Sequence, residues 1–238
     1  MRPPRRKGRA MVWHGAKAAS AAFLLLTLAL TANPARAQDQ AERDRDLIIA
    51  AERGETVVVR RLLAQGARIN ARDQRGRTAL LAATQRNEVD TAKLLITEGA
   101  DVNVKDFGQD TPFLIAGAEG RAEILKMILA AGADLKAINR HGGTALIPAA
   151  HRGHVEVVKL LLDAKVNVNH VNNYGWTALM EAVTLGDGGR AHTEIVRLLI
   201  AAGANVNIPD RDGLTPLAHA KRRGYSEMVR LLGAAGGR

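Results

Sequence analysis

Apolar residues fall along this chain in two patterns. Residues 18–32 (AASAAFLLLTLALTA) form one unbroken run, preceded by a basic stretch and followed by Ala35-Arg36-Ala37. Past residue 45 the apolar positions come in short clusters that recur. Thr78, Thr111, Thr144 and Thr177 stand 33 residues apart and Thr215 follows after 38, within RGRTALLAA, GQDTPFLIA, HGGTALIPAA, YGWTALMEA and DGLTPLAHA. Between them recur VDTAKLLITEGADVN, AEILKMILAAGADLK, VEVVKLLLDAKVNVN and TEIVRLLIAAGANVN. Aligning Arg152-Gly153-His154 with Leu185-Gly186 and His192 places the excess length at residues 187–191.

The periodicity predicts two helices per repeat. Each recurring Thr can cap the free N–H groups of a first helix, and Pro112 and Pro216 fall in the first turn, where a missing N–H costs nothing. In the second helices Leu94, Leu95 and Ile96, then Ile128 and Leu129, then Leu160, Leu161 and Leu162 are expected to bury against the neighbouring unit. Ala82-Ala83 and Ala149-Ala150 permit close helix approach. No single unit can bury its own apolar face, so the array folds only as a stack.

Period, Thr-Pro-Leu-type turn, apolar second helix and Gly-Ala-Asp/Asn-Val-Asn ending together resemble the ankyrin repeat over about residues 45–235. The resemblance implies an all-α solenoid of about six helix–loop–helix units, near residues 45–72, 73–105, 106–138, 139–171, 172–209 and 210–235 of a 38–238 domain. Turns are expected to project from one edge. The first unit lacks the Thr-Pro-Leu turn and opens with Glu42, Arg43, Asp44, Arg45 and Asp46, the polar outer face a terminal unit needs; Lys221, Arg222 and Arg223 do the same for the last. The family's His after Thr-Pro-Leu is Leu81, Leu114, Ile147, Met180 and Ala218, so its polar bridge is expected to be absent. Lys165 takes the helix-ending position of Gly66, Gly99, Gly132 and Gly203, where a left-handed backbone strains a side chain.

Composition then excludes several functions. The formal charge of +10 invites a nucleic-acid reading, but residues 1–37 hold seven basic residues and no acid. The remaining 27 basic and 24 acidic residues leave +3, an ordinary surface. With no Cys, and Ser226 the one serine past the apolar run, thiol and serine nucleophiles are almost excluded by inventory. The six histidines past residue 37, His141, His151, His154, His170, His192 and His219, do not supply the three or four convergent ligands of a metal site. Asp73, Asp101, Asp106, Asp210 and Asp212 recur at repeat spacing, about 10 Å per packed layer. Successive ones then fall beyond the roughly 5 to 9.5 Å of a catalytic pair, and turn stabilisation is their expected role. Gly142-Gly143 and Gly186-Asp187-Gly188-Gly189 lack the following Gly-Lys-Ser/Thr of a phosphate loop. No catalytic residue, cofactor or metal is expected.

Five aromatics follow residue 37. Phe113 is expected in the core and Tyr225 between helices. Phe107, Tyr174 and Trp176 occupy positions of the projecting turns that the repeat leaves variable, and with Arg140 and His141 they compose a candidate protein-binding patch; the alternative is rings folded over neighbouring turns. The resemblance implies a protein partner rather than nucleic acid or membrane, and a monomer is expected. Exported bacterial proteins of this kind are associated with oxidative-defence enzymes such as catalase; the alternative is an inhibitor or immunity-type protein that neutralises a toxic enzyme. A metal or ligand carrier would need a converging His or carboxylate cluster that the spacing does not supply; delivery into a eukaryotic host cell is a further alternative.

Residues 1–37 have the three parts of a secretory signal, with cleavage expected after Ala37 and general secretion to a bacterial periplasm. Fifteen apolar residues fall short of the ~18–20 that span a bilayer, leaving an uncleaved anchor as the alternative. Met11 is an alternative start, and Arg5-Arg6 sits too far from the apolar run for twin-arginine export. Mass spectrometry of the exported protein is expected to find Gln38 as its first residue; a full-length chain in the membrane fraction would refute cleavage.

Overall fold

The structure is a computed structural model and describes residues 34–238. The basic stretch and apolar run of the expected export signal lie outside the described residues. One compact unit comprises Gln40–Arg238. Among the described residues there are twelve helices, which fall into six pairs: α1 (Pro34–Glu52) and α2 (Thr56–Ala64), α3 (Ala79–Arg86) and α4 (Val89–Thr97), α5 (Pro112–Ala118) and α6 (Ala122–Ala130), α7 (Leu146–His151) and α8 (Val155–Asp163), α9 (Ala178–Thr184) and α10 (Arg190–Ala201), α11 (Pro216–Arg223) and α12 (Ser226–Ala234). First helices pack on first helices (α3, α5, α7, α9, α11), and second helices on second helices (α2, α4, α6, α8, α10, α12).

The first helices are nearly all core: residues 79–84 of α3 and all of α9 are buried. Their approach is close. A Cβ on Gly117 of α5 would lie 2.7 Å from that of Ala145, so only glycine lets this layer close. The second helices run along the outer surface, which modifies the expectation for their apolar runs. Leu94, Leu95, Ile128 and Leu161 are buried, whereas Ile96, Leu129, Leu160 and Leu162 are half-buried against the same core. A helix with one side on solvent buries a stripe, not a run.

Four of the five threonines cap as expected: Thr78, Thr111, Thr177 and Thr215 accept from the N–H groups of Leu81, Leu114, Met180 and Ala218. Thr144 does not. Elsewhere the N–H four residues on, as from Ala82 or Glu181, donates to the threonine carbonyl; here that residue is Pro148, which has none. The Ile147 N–H takes that carbonyl instead at 3.2 Å. The turn tightens, and the Thr144 hydroxyl is buried without a partner.

The first unit also departs from expectation at Asp44, which is not on the polar outer face but buried, accepting from the Arg68 N–H and Arg68 Nε, each at 2.7 Å. Glu42, Arg45 and Asp46 are exposed, as are Lys221, Arg222 and Arg223 at the other end. Glu52 joins the first unit to the second through Arg77 (3.3 Å) and Arg86 (3.0 Å).

The polar rungs between units explain the terminal Asn of the repeat. Asn103 donates to the Gly132 carbonyl and accepts from the Asp134 N–H; Asn169 does the same with Gly203 and Asn205, and Asn207 with Gly236 and Arg238. The equivalent residue in the third unit is Lys136, and the carbonyl it would meet belongs to Lys165. Two departures from the pattern thus face each other across one joint. Lys165 has φ +66°, in the left-handed region that the four glycines occupy at +86° to +88°. Lys165→Gly is expected to raise stability by about 1 kcal/mol by removing this strain, and Lys136→Asn by about as much again through the missing rung. Urea unfolding checks both; a lower midpoint for either variant would contradict the assignment.

Candidate functional site

Of the aspartates expected to stabilise turns, Asp73 and Asp210 each accept from two backbone N–H groups of their own turn, and Asp101 and Asp106 from the N–H groups of Asn103 and Asp110; Asn139 and Asn172 play the part of Asp73 in their own turns. These Asx turns set the direction in which the next residues project. His141 and Tyr174 occupy the same position of successive units, so stacking brings their rings to 5.7 Å between centroids, with Tyr174 Oη 2.8 Å from His141 Nδ1. Arg140 Nε donates to His141 Nε2 at 3.1 Å. That leaves the imidazole hydrogen on Nδ1, where it is donated to Tyr174.

Beneath this pair, between the fourth and fifth units, lies a half-open cavity of about 460 Å³, lined by His141, Tyr174 and Trp176 on the turns and by Ile147, Pro148, His151, Glu181 and Leu185 on or beside α7 and α9. It exists because the position held by Trp176 in the fifth unit is Gly143 in the fourth, leaving nothing to fill the space above Ile147.

The candidate patch is therefore divided. His141, Tyr174 and Trp176 come together around the cavity, and Tyr174 is 53% exposed. Trp176 is not an exposed turn-tip residue: it is half-buried, because its ring forms a wall of the cavity. Phe107, 70% exposed, leans the other way, over Gly76 with the Arg72 guanidinium 5.7 Å from its ring centre. Arg140 reaches the site only through His141. Phe113 is fully buried and Tyr225 lies between units, its hydroxyl donating to the Gly186 carbonyl at 3.1 Å.

Sequence reasoning missed Glu181. It sits four residues after the capping Thr177, where the second and third units have Ala82 and Ile115, and it is 8% exposed. Asn172 Nδ2 donates to Glu181 Oε1 at 2.9 Å, and His151 Nδ1 lies 3.5 Å from Oε2. Burial pushes the Glu181 carboxyl up to about 7. Burial, with the charges of Arg152 and His192, pulls His151 down. These opposite directions are those of a neutral acid beside a neutral imidazole, not of an ion pair. The readable signal was a carboxylate on the buried face of TALMEA. The positions of the family's His hold apolar side chains, and two polar bridges come instead from one position later: Asn172–Glu181, and His219 Nε2–Asp210 Oδ2 at 2.6 Å, join turn to first helix.

Among the described residues no three His, Cys, Asp or Glu side chains are grouped to hold a metal ion, and no helix is long and apolar enough to cross a membrane. Stacked helix pairs with turns along one edge and a lined recess between two of them define an interaction solenoid. A family model described as Ankyrin repeats (3 copies) matches residues 16–106, 113–210 and 187–237. The chain belongs to the ankyrin-repeat family, whose repeats are protein–protein interaction modules. It is 54% identical to an ankyrin repeat domain from Acinetobacter baumannii AYE, with a TM-score of 0.78 over 81% of this chain and 98% of that one. It is 40% identical to the ankyrin repeat protein EF0377, with a TM-score of 0.75 over 79% of this chain and 96% of that one. No curated protein matches the sequence.

The Glu181 shift has a signed consequence. The folded state keeps its proton from about pH 4.5 to about 7 while the unfolded chain loses it, so stability falls as pH rises through that window. Glu181→Gln, which keeps the Asn172 hydrogen bond, is expected to match the parent near pH 4 and to exceed it at pH 8 by on the order of 2 kcal/mol. Urea unfolding at the two pH values decides this; an equal difference at both would mean Glu181 ionises normally.

Proposed function

We propose that this chain is an exported, non-catalytic binding module of the periplasm that holds a folded protein partner on its turn tips and first-helix face, centred on the fourth and fifth units. The observation that carries this reading is the clustering of His141, Tyr174 and Trp176 around an open recess. Large rings beside a concavity combine much buriable area with little side-chain entropy to lose, which is the make-up of an interface centre. Phe107 and Arg140 then belong to the rim. An oxidative-defence enzyme is the partner class the family resemblance offers.

Affinity capture from a native periplasmic extract tests the partner. An oxidative-defence enzyme captured in active form supports that class, whereas a single enzyme whose activity is abolished would favour the inhibitor reading. Tyr174→Ala is expected to weaken the captured complex by ~2 kcal/mol or more, with fold stability changed by less than about 1 kcal/mol because the side chain is exposed. Phe107→Ala, at the rim, is expected to cost less. Unchanged binding by Tyr174→Ala would move the interface elsewhere.

A further inference from the structure

Glu181 is an expensive residue to place where it is. A carboxylate nine-tenths covered on a helix otherwise built of Ala, Leu, Met, Val and Thr costs stability unless something repays its desolvation. Its two neighbours do so only in part: Asn172 donates one hydrogen bond, and His151, at 3.5 Å, offers no charge while its imidazole is neutral. Glu181 is also the one Asp, Glu, Lys or Arg side chain lining the cavity. An acid at the floor and aromatic rings at the wall are complementary to a flat cation.

We propose that the cavity between the fourth and fifth units receives one arginine side chain of the protein partner, its guanidinium stacked against Trp176 and Tyr174 and paired with the Glu181 carboxylate. Arginine fits better than lysine because guanidinium is planar, stacks on aromatic faces, and is weakly hydrated, so less is lost when it leaves water. The volume, about 460 Å³, lies within the range of specific ligand sites and leaves room for the backbone that carries the side chain. The assignment rests on the protein-binding reading and deepens it.

Pairing requires Glu181 to ionise, so affinity rises with pH. The titratable groups facing it are His151 on α7 and, from the two turns, His141 and Tyr174. On the other helices packed against α9, His192 of α10 is bonded to the His151 carbonyl and Asp187, and His219 of α11 to Asp210. At pH 5.5 a protonated Glu181 and any added charge on His151 act in the same direction, against a cation.

The test uses the full chain carrying Trp13→Phe, which leaves Trp176 as the one tryptophan. The probes are acetyl-Gly-Arg-Gly-amide and the same peptide with citrulline, the uncharged isostere of arginine. At pH 8 the arginine peptide is expected to change Trp176 fluorescence saturably with a Kd on the order of 1 mM, the scale of a few kcal/mol for one side chain. The citrulline peptide, the Glu181→Gln variant and a titration at pH 5.5 are each expected to weaken binding at least tenfold. No saturable response, an equal response to citrulline, or an unaffected Glu181→Gln overturns the proposal. A captured partner whose binding survives Glu181→Gln also overturns the arginine assignment while leaving the protein-binding reading intact. Failure of the parent chain to capture any protein sinks that broader reading, whereas the peptides decide the cavity chemistry by themselves.

Discussion

Every helix pair in this molecule presents apolar side chains on two sides, and neither side has a partner within its own unit. Leu80, Phe113, Leu146 and Leu179 reach full burial only because another first-helix layer lies next to them. Stacking is therefore the constraint from which the other features follow. It demands small residues where layers meet, as at Gly117 against Ala145. It demands polar rungs that satisfy turn backbones, as Asn103, Asn169 and Asn207 do for the unit that follows each. It also explains the terminal units, which have one such side each and carry exposed charges, Glu42, Arg45 and Asp46 at one end and Lys221, Arg222 and Arg223 at the other.

A repeated structure makes its exceptions informative, since each can be compared with the same position elsewhere in the same chain. Asn87 and Gln109 take left-handed glycine positions in the second and third units, and several more exceptions fall in or next to the fourth. Thr144 is left uncapped because Pro148 lacks an N–H; Lys165 sits in a left-handed conformation; Lys136 faces it where a rung-forming Asn belongs; and Gly143 leaves open the space that Trp176 borders. Thr144, Lys165 and Lys136 each weaken the local fold by a familiar mechanism; of the positions concerned, Gly143 and Pro148 line the cavity. A buried carboxylate and an unfilled space at one recess, Glu181 and Gly143, are the kind of local concession that binding sites make for charge and shape.

The chemistry of the recess follows from its depth. On an exposed turn a carboxylate is solvated and ionises normally; Glu181, 8% exposed, is not so placed. At the buried end of the recess, Glu181 is raised and His151 lowered by burial, whereas at its exposed rim His141 and Tyr174 are joined only by hydrogen bonds to each other and to Arg140. The pairs Asn172–Glu181 and Asp210–His219 tie the turns of the fifth and sixth units to the helices behind them, and the first of these holds the turn that carries Tyr174 and Trp176.

Much of this was legible in the linear sequence. The 33-residue period, the threonine caps, the prolines in first turns and the glycines after second helices are local features whose backbone requirements depend on residue type alone, and they define the helix pairs and their stacking. The strain at Lys165 was readable for the same reason, because four glycines mark that position. What the linear order could not contain was direction across units. Phe107 and Tyr174 read alike as exposed turn aromatics, but they stand four and three residues before the capping Thr, and one leans onto the Arg72 turn while the other joins His141. Trp176 became a wall because the unit before it has Gly143 at the same place. Glu181 and His151 lie thirty residues apart and meet only when α9 packs on α7, and it is that packing, by excluding water, that turns an ordinary carboxylate into the buried acid of the site.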